Sequence, residues 1–209
     1  MRIGYTNIPA GKAVHLYRTR NQNRNVTKTK YADRNRLFEA VDNGEVQMAV
    51  IEAEDSVHGR IEENFDELYR RRFYVNAEIE IGTTRYFGVS SEPAVPRKIK
   101  RRKYKILTAI TPHNDRPGLL RDISSVMGIY RVNMTDIFSR PAAEVFLRNR
   151  DAKMFYIIME GHIMDDIFQT HILEGIKSIL QHTETHPSFR FLGCYETAES
   201  AGGASGITA

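Results

Sequence analysis

The chain has 209 residues, of which 41% are hydrophobic, and its formal net charge at pH 7 is +4. This length allows one large or two small domains, and no apolar run reaches the roughly 18 residues of a membrane helix. A single cysteine, Cys194, excludes an intrachain disulfide framework and a cysteine-based metal cluster. The first residues lack the long apolar middle of a signal peptide, so we expect a cytoplasmic protein.

Residues 1–90 are predicted to alternate strands and helices. The predicted strands are Arg2–Thr6, Thr27–Ala32, Val46–Ala53, Phe73–Ile81 and Arg85–Ser90, and the predicted helices are Ala10–Arg20, Arg34–Asn43 and Glu62–Arg71. Asp33 is the expected N-cap of the second helix, and Gly44 is its expected end. This alternation predicts a small open α/β layer.

Residues 91–104 form a predicted basic linker that follows this layer. Seven lysines and arginines lie between residues 97 and 105, after Pro93 and Pro96. We interpret this run as a solvated linker. A basic nucleic-acid-binding protein is a weaker alternative, because Tyr104 is the only aromatic residue in the run, and it would require strongly salt-dependent binding.

Residues 105–196 predict a second domain of the α+β class. The order is strand Lys105–Thr111, helix Pro117–Gly128, strands Asn133–Arg140 and Lys153–His162, helix Ile167–His182 and strand Phe189–Tyr195. This βαββαβ order is typical of a ferredoxin-like fold. Residues 197–209 are small and polar and predict a flexible tail.

Metal and cofactor sites are not expected from the motifs. His182 and His186 lie close together before Pro187, but no cysteine or third histidine is nearby in the sequence, so a solvated turn is the better interpretation. No glycine-rich phosphate-binding loop is present.

Two segments of the C-terminal half resemble the amino-acid-sensing ACT module, in the version fused to prephenate dehydratase. They are Asp115-Arg116-Pro117-Gly118-Leu119-Leu120 and Ser139-Arg140-Pro141. The resemblance implies a phenylalanine effector that contacts Asp115, Pro117, Gly118, Leu119, Leu120, Ser139, Arg140 and Pro141. A glycine there lets backbone N–H groups approach a carboxylate at a helix start. Phe138 stands where that family has glutamate, which leaves the identity of the effector open.

The N-terminal half resembles one lobe of prephenate dehydratase. The segments that carry this likeness are Pro9-Ala10-Gly11-Lys12, Val50–Gly59 and Thr84-Arg85-Tyr86-Phe87-Gly88-Val89. The resemblance implies conversion of prephenate to phenylpyruvate, CO2 and water, without a cofactor. It makes Thr84 the proton donor, with Arg85 as the nearest cation and Glu54, Asp55 and Ser56 on the opposing loop. Lys12 and Thr83 are the expected substrate contacts.

The predicted departure from that family is a missing second lobe. Glu78-Ile79-Glu80-Ile81 is followed at once by Gly82-Thr83-Thr84, so the chain offers one wall of the expected cleft. We therefore expect a homodimer or a larger assembly, since a four-stranded sheet leaves exposed edges. Two hypotheses stay open: a shortened dehydratase whose site another chain completes, and a non-catalytic ACT-domain regulator of aromatic amino-acid metabolism.

Overall fold

The computed structural model describes residues 1–22, 25–112, 116–141, 153–180 and 189–201. For residues 200 and 201 it describes the backbone alone. The chain divides into two compact units. The first comprises Met1–Lys103 and the segment that begins at Tyr195, and the second is Tyr104–Cys194. Among the described residues, no helix has the length and apolar character needed to span a bilayer.

The first unit is an α/β layer. Its elements are β1 (Arg2–Tyr5), α1 (Ile8–Arg20), β2 (Thr27–Lys30), α2 (Arg34–Asp42), β3 (Met48–Asp55), β4 (Gly59–Arg60), α3 (Glu62–Arg71), β5 (Tyr74–Ile81) and β6 (Thr84–Ser90). The strand order is β2-β1-β3-β6-β5, and the two-residue β4, which was not predicted, pairs with β3. β1 is parallel to β2 and β3, whereas β6 is antiparallel to β3 and β5.

The strand order of this sheet reverses at β1. The chain passes through α1 to β2 on one side of β1 and then through α2 to β3 on the other side. In open α/β sheets, ligands bind beyond the carboxyl ends of the strands at such a reversal. The core that holds α1 on the sheet includes Ala13 and Val14 of the helix and Val50 and Ile79 of the strands.

A two-residue turn joins β5 to β6. Ile81 pairs with Thr84, and Gly82 has φ +58°, as the first central position of a type II′ hairpin requires. Successive residues of β6 point to opposite faces. Thr84 and Tyr86 therefore share one face of the sheet, and Arg85 lies on the other.

The second unit is a mixed α/β sandwich of one sheet and its helices. Its elements are β7 (Tyr104–Ile110), α4 (Leu119–Ile129), β8 (Met134–Pro141), β9 (Lys153–Glu160), a π-helical turn (Ile167–Ile172) that continues as α5 (Leu173–Leu180), and β10 (Phe189–Glu196). The last residues of β10 and the α6 helix that follows (Ala198–Ala201) belong to the first unit. The strand order is β10-β7-β9-β8. The mixed α/β class predicted for the chain is confirmed.

Two elements differ from the sequence prediction. The helix predicted from Ile167 opens with a π turn, and its buried residues Phe168, Ile172, Ile176 and Leu180 recur at every fourth position. In an α-helix, residues four positions apart are rotated by roughly 40° from each other around the helix axis. The π turn has more residues per turn, so it offsets this rotation and keeps the row on one face. The segment that was predicted as a tail begins with the short helix α6, and Ala198 of this helix is buried.

Candidate active site

The residues around Thr84 form one open hollow of about 310 Å³. We call it the acidic hollow, and it is lined by Glu54, Asp55, Ser56, Glu80, Gly82, Thr83, Thr84 and Arg85. They converge because β3 and β6 are antiparallel, so that the end of β3 lies beside the start of β6. The structure thus brings together the five residues that the sequence placed on the Thr84 strand and the opposing loop, and Thr83, an expected substrate contact, lies with them.

Hydrogen bonds within the chain hold the turn after β3. One carboxylate oxygen of Asp55 accepts from the backbone N–H groups of Val57, at 2.7 Å, and His58, at 2.6 Å. The His58 bond, supported by that of Val57, holds the pKa of Asp55 below its ordinary value. The Ser56 hydroxyl donates to Thr83 Oγ1 at 2.8 Å, which ties this turn to the β5–β6 hairpin.

Arg85 is surrounded by carboxylates. Its guanidinium lies 3.1 Å from Glu54, 3.5 Å from Glu78 and 3.6 Å from Glu80, and the Glu78 side chain is only 2% exposed. Burial lowers the pKa of Arg85, but the three carboxylates, Glu78 first, outweigh burial and raise it. The charge of Arg85 is therefore already compensated, and its position connects β3, β5 and β6.

Thr84 lies with Tyr86 on the opposite face of the sheet from Arg85. On that face the Tyr86 hydroxyl donates to Glu52 Oε1 at 3.3 Å. Tyr86 is 1% exposed, and burial, followed by the charge of Glu52, raises its pKa to about 12. Thr84 is half-buried and lies two residues before Tyr86, where it lines the acidic hollow.

A second hollow, of about 460 Å³, lies at the carboxyl ends of the parallel strands. We call it the helix-end hollow, and it is lined by Thr6, Asn7, Ala10, Asp33, Arg34, Asn35, Leu37, Ile51, Glu52, Ile61 and Asn64. Three of these, Asn7, Asp33 and Ile61, are the N-caps of α1, α2 and α3. Sequence reasoning missed this hollow, although the alternation of parallel strands and helices was a signal for it.

The two hollows differ in the charge that they favour. The helix-end hollow has Arg34 on its wall, held by a 3.3 Å hydrogen bond to Asn64 Oδ1, and helix N-termini favour anions. Asp33 uses its carboxylate to cap α2, where it accepts from the Arg36 N–H at 2.9 Å. The acidic hollow has three carboxylates against one guanidinium and disfavours anions. Glu52 lines the helix-end hollow and accepts a hydrogen bond from Tyr86, which lies on the same face of the sheet as Thr84.

The remaining predicted site residues lie elsewhere. Lys12 is exposed on α1 and lines neither hollow. Asp115, His182 and His186 lie outside the described residues. Within the part of the chain that the structure describes, no group of His, Cys, Asp and Glu is suited to hold a metal ion.

The predicted effector residues flank one end of the second sheet. Pro117 and Gly118 precede α4, Leu119 and Leu120 begin it, and Ser139, Arg140 and Pro141 end β8. Ile110 at the end of β7 and Ser139 both pair with Phe155 of the intervening β9, so both segments lie at the same end of the sheet. Gly118 has φ +85°, a conformation that favours glycine.

The comparisons with known proteins point to one family. Residues 9–102 match the family model for prephenate dehydratase. A prephenate dehydratase from Streptococcus mutans is 22% identical, with a TM-score of 0.71 over 94% of this chain and 98% of that one. A prephenate dehydratase from Arthrobacter aurescens in complex with L-Phe is 16% identical, with a TM-score of 0.75 over 100% and 93%.

A solved structure with a different activity is also similar. GqqA, described as a novel type of quorum quenching acylase, is 19% identical, with a TM-score of 0.67 over 93% of this chain and 94% of that one. No curated protein sequence matches the chain. The chain therefore has the fold of solved prephenate dehydratases, and its residues 9–102 match the model of that family.

Proposed function

We propose that this chain is a prephenate dehydratase-like enzyme of phenylalanine biosynthesis. The observation that carries the proposal is the pair of hollows with opposite charge preference in the first unit. Prephenate has the same asymmetry, with both carboxylates at one end of its ring and a hydroxyl at the other. The carboxylates fit the helix-end hollow, and the hydroxyl then lies toward Thr84.

The reaction asks little of the protein. Loss of CO2 supplies an electron pair to the ring, the hydroxyl at C4 leaves as water, and the ring becomes aromatic. The chain must hold a dianion and protonate the leaving hydroxyl, which we assign to Thr84. Arg85 and Glu54 position the strand of Thr84, while Asp55, Ser56 and Thr83 shape the far wall. Lys12 contributes a positive field that attracts the dianion.

Replacement of the proposed donor is the direct test. In Thr84→Ala we expect kcat for the conversion of prephenate to phenylpyruvate to fall about 100-fold, as for loss of a positioned acid. Thr84→Ser keeps the hydroxyl and should retain most of the activity. Thr29→Ala, on the exposed strand β2, is the matched control. Activity of Thr84→Ala equal to that of the parent would refute the assignment.

We further propose that the second unit is a ferredoxin-like ACT module that binds phenylalanine. The A. aurescens protein was solved with L-Phe, and here the start of α4 and the end of β8 lie at one end of the sheet. β8 and β10 are the edges of this sheet, so pairing with a second copy would protect them.

Light scattering and calorimetry test this part of the proposal. We expect at least a dimeric mass and saturable binding of L-phenylalanine, with D-phenylalanine as the control ligand. A monomeric mass that amino acids leave unchanged, or equal binding of the two enantiomers, would contradict it.

The rival function is a non-catalytic regulator of aromatic amino-acid metabolism. The tight Gly82-Thr83 turn favours it, because nothing inserted there covers the acidic hollow. The similarity to GqqA also shows that one fold can accommodate different chemistry. Binding of phenylalanine without any turnover of prephenate would support the regulator, and turnover would support the enzyme.

A further inference from the structure

We propose, on the basis of the dehydratase function above, that Arg34 binds the side-chain carboxylate of prephenate and that Asn64 is the positioning residue that holds Arg34. Both residues line the helix-end hollow, where Arg34 is exposed and Asn64 is only 5% exposed. The guanidinium of Arg34 donates to Asn64 Oδ1 at 3.3 Å. One residue thus offers a positive charge to the hollow, and the other fixes the place of that charge.

The side chain of Asn64 is itself fixed to the sheet. Its Nδ2 donates to the backbone carbonyl of Glu52 at 2.6 Å, and its backbone N–H donates to the carbonyl of Ile61 where α3 begins. Glu52 lies next to the register shift between β3 and β6. A buried amide that is hydrogen-bonded at both ends has one orientation. Asn64 therefore connects α2, α3 and β3 and defines the position of the Arg34 guanidinium.

No carboxylate compensates the charge of Arg34. Within the residues that the structure describes, Arg34 forms no ion pair, whereas Arg36 of the same helix pairs with Glu39 at 2.6 Å. Its partner Asn64 is a neutral amide, which fixes the geometry of the guanidinium without cancelling its charge. An oriented guanidinium of this kind matches a carboxylate, which can accept two parallel N–H bonds from it.

The chemistry of the reaction decides which carboxylate of prephenate Arg34 binds. The ring carboxylate leaves as CO2, and its charge passes into the ring while the bond breaks. An ion pair with this group would stabilise the substrate more than the transition state and would slow the reaction. The carboxylate of the pyruvyl side chain keeps its charge throughout, so its binding to Arg34 leaves the barrier unchanged.

Glu52 favours the same orientation of the substrate. Its half-buried side chain lines the helix-end hollow and accepts a hydrogen bond from Tyr86 of β6 at 3.3 Å. A carboxylate of the ligand is attracted by Arg34 and repelled by Glu52. The side-chain carboxylate is therefore held on the α2 side of the hollow, and the ring is directed toward β6, which carries Thr84.

Phenylpyruvate is the probe that separates the two carboxylates, because it retains only the side-chain one. In Arg34→Gln we expect the Kd of phenylpyruvate, measured by calorimetry, to rise about 10- to 100-fold, as for loss of a hydrogen-bonded charge. KM for prephenate should rise by the same factor. kcat should stay within about threefold of the parent, because the interaction is equally strong in substrate and transition state.

Two further variants control for the charge and the shape of Arg34. Arg36→Gln removes the same charge from the same helix and lines neither hollow, so it should leave the Kd of phenylpyruvate unchanged. Arg34→Lys keeps the charge but lacks the planar guanidinium that Asn64 orients, so it should recover only part of the affinity.

Asn64→Asp tests the positioning role. A carboxylate at this position would pair with Arg34 and compensate its charge, so affinity for phenylpyruvate should fall about 10-fold. Arg34→Gln combined with Asn64→Asp should bind no more weakly than Arg34→Gln alone. If thermal unfolding shows that Asn64→Asp is unstable, Asn64→Ala replaces it. Parental affinity in the stable variant would refute the role of Asn64.

The outcomes separate this assignment from the proposed function. If the intact chain does not consume prephenate, the proposed function is wrong, and the phenylpyruvate titration still decides the role of Arg34. Equal Kd values for phenylpyruvate in Arg34→Gln and the parent, or no binding by the parent, would overturn the assignment. A rise in KM for prephenate without a change in the Kd of phenylpyruvate would also overturn it, since Arg34 would then hold the ring carboxylate.

Discussion

Gly161→Ala is expected to destabilise the second unit by about 2–5 kcal/mol. Gly161 has φ +140°, and an added Cβ would lie 2.0 Å from Cε2 of Phe168. The ring cannot move aside, because Phe168 is 3% exposed and packs in the core with Ile172 and Ile176. Overpacking costs about 1–3 kcal/mol, and a positive φ adds about 1–2 kcal/mol for an alanine.

Denaturant unfolding followed by circular dichroism measures this loss. Gly128→Ala is the matched control, because Gly128 lies in α4 with nothing within 4 Å of its Cβ position, and alanine favours a helix. Phe168→Ala combined with Gly161→Ala should cost less than the sum of the two single changes, since the ring that clashes is gone. Equal unfolding midpoints for Gly161→Ala and Gly128→Ala would disprove the steric argument.

Much of the local structure was predictable from periodicity and caps. Asp33 caps α2 through the Arg36 N–H, as its position before an amphipathic run predicts. α3 spans Glu62–Arg71 as its pattern predicts, because Phe65 and Leu68 recur at helical spacing. The π turn at Ile167–Ile172 was not predictable, since the row of apolar residues is equally compatible with an α-helix.

The gathering of Thr84, Glu54, Asp55 and Ser56 in one hollow was anticipated from a resemblance. The division of roles between the two faces of the sheet was not anticipated. Strict alternation would place Glu52 and Glu54 on one face of β3. The structure has a register shift between them, so that Glu52 opposes Tyr86 and Glu54 opposes Arg85 on opposite faces. Such a bulge leaves no mark in a single sequence, and it separates Glu52 and Tyr86 from the ion cluster around Arg85.

Arg85→Met is expected to destabilise the first unit by about 3–5 kcal/mol at pH 7. The change removes a positive charge from beside a buried carboxylate, and breaking a buried ion pair by removing one partner costs more stability than the intact pair contributes. Glu78, with a side chain that is 2% exposed, carries this penalty, since Glu54 and Glu80 are near 40% exposed and can be hydrated. Urea unfolding of the variant and the parent measures the difference.

The pH dependence of that loss identifies its cause. In the variant, the buried Glu78 carboxylate no longer has the arginine charge beside it, so we expect its folded state to take up a proton more readily than its unfolded state. By linkage, the variant then gains stability relative to the parent as the pH falls from 7 toward 4. A loss that stays constant over this range would mean that packing of the arginine stem, and not charge, is responsible.

Replacing both partners should restore most of the stability. In Arg85→Met combined with Glu78→Met, neither charge of this pair remains, and an apolar pair of similar volume is often as stable as an ion pair. Glu80→Gln combined with Arg85→Met is the control, because Glu80 is half-exposed and its removal leaves Glu78 buried and charged. Recovery by the Glu78 change and not by the Glu80 change would assign Arg85 to the architecture of the Thr84 strand. Equal recovery of stability in the two double variants would mean that the net negative charge of the acidic hollow, and not the buried charge of Glu78, causes the loss.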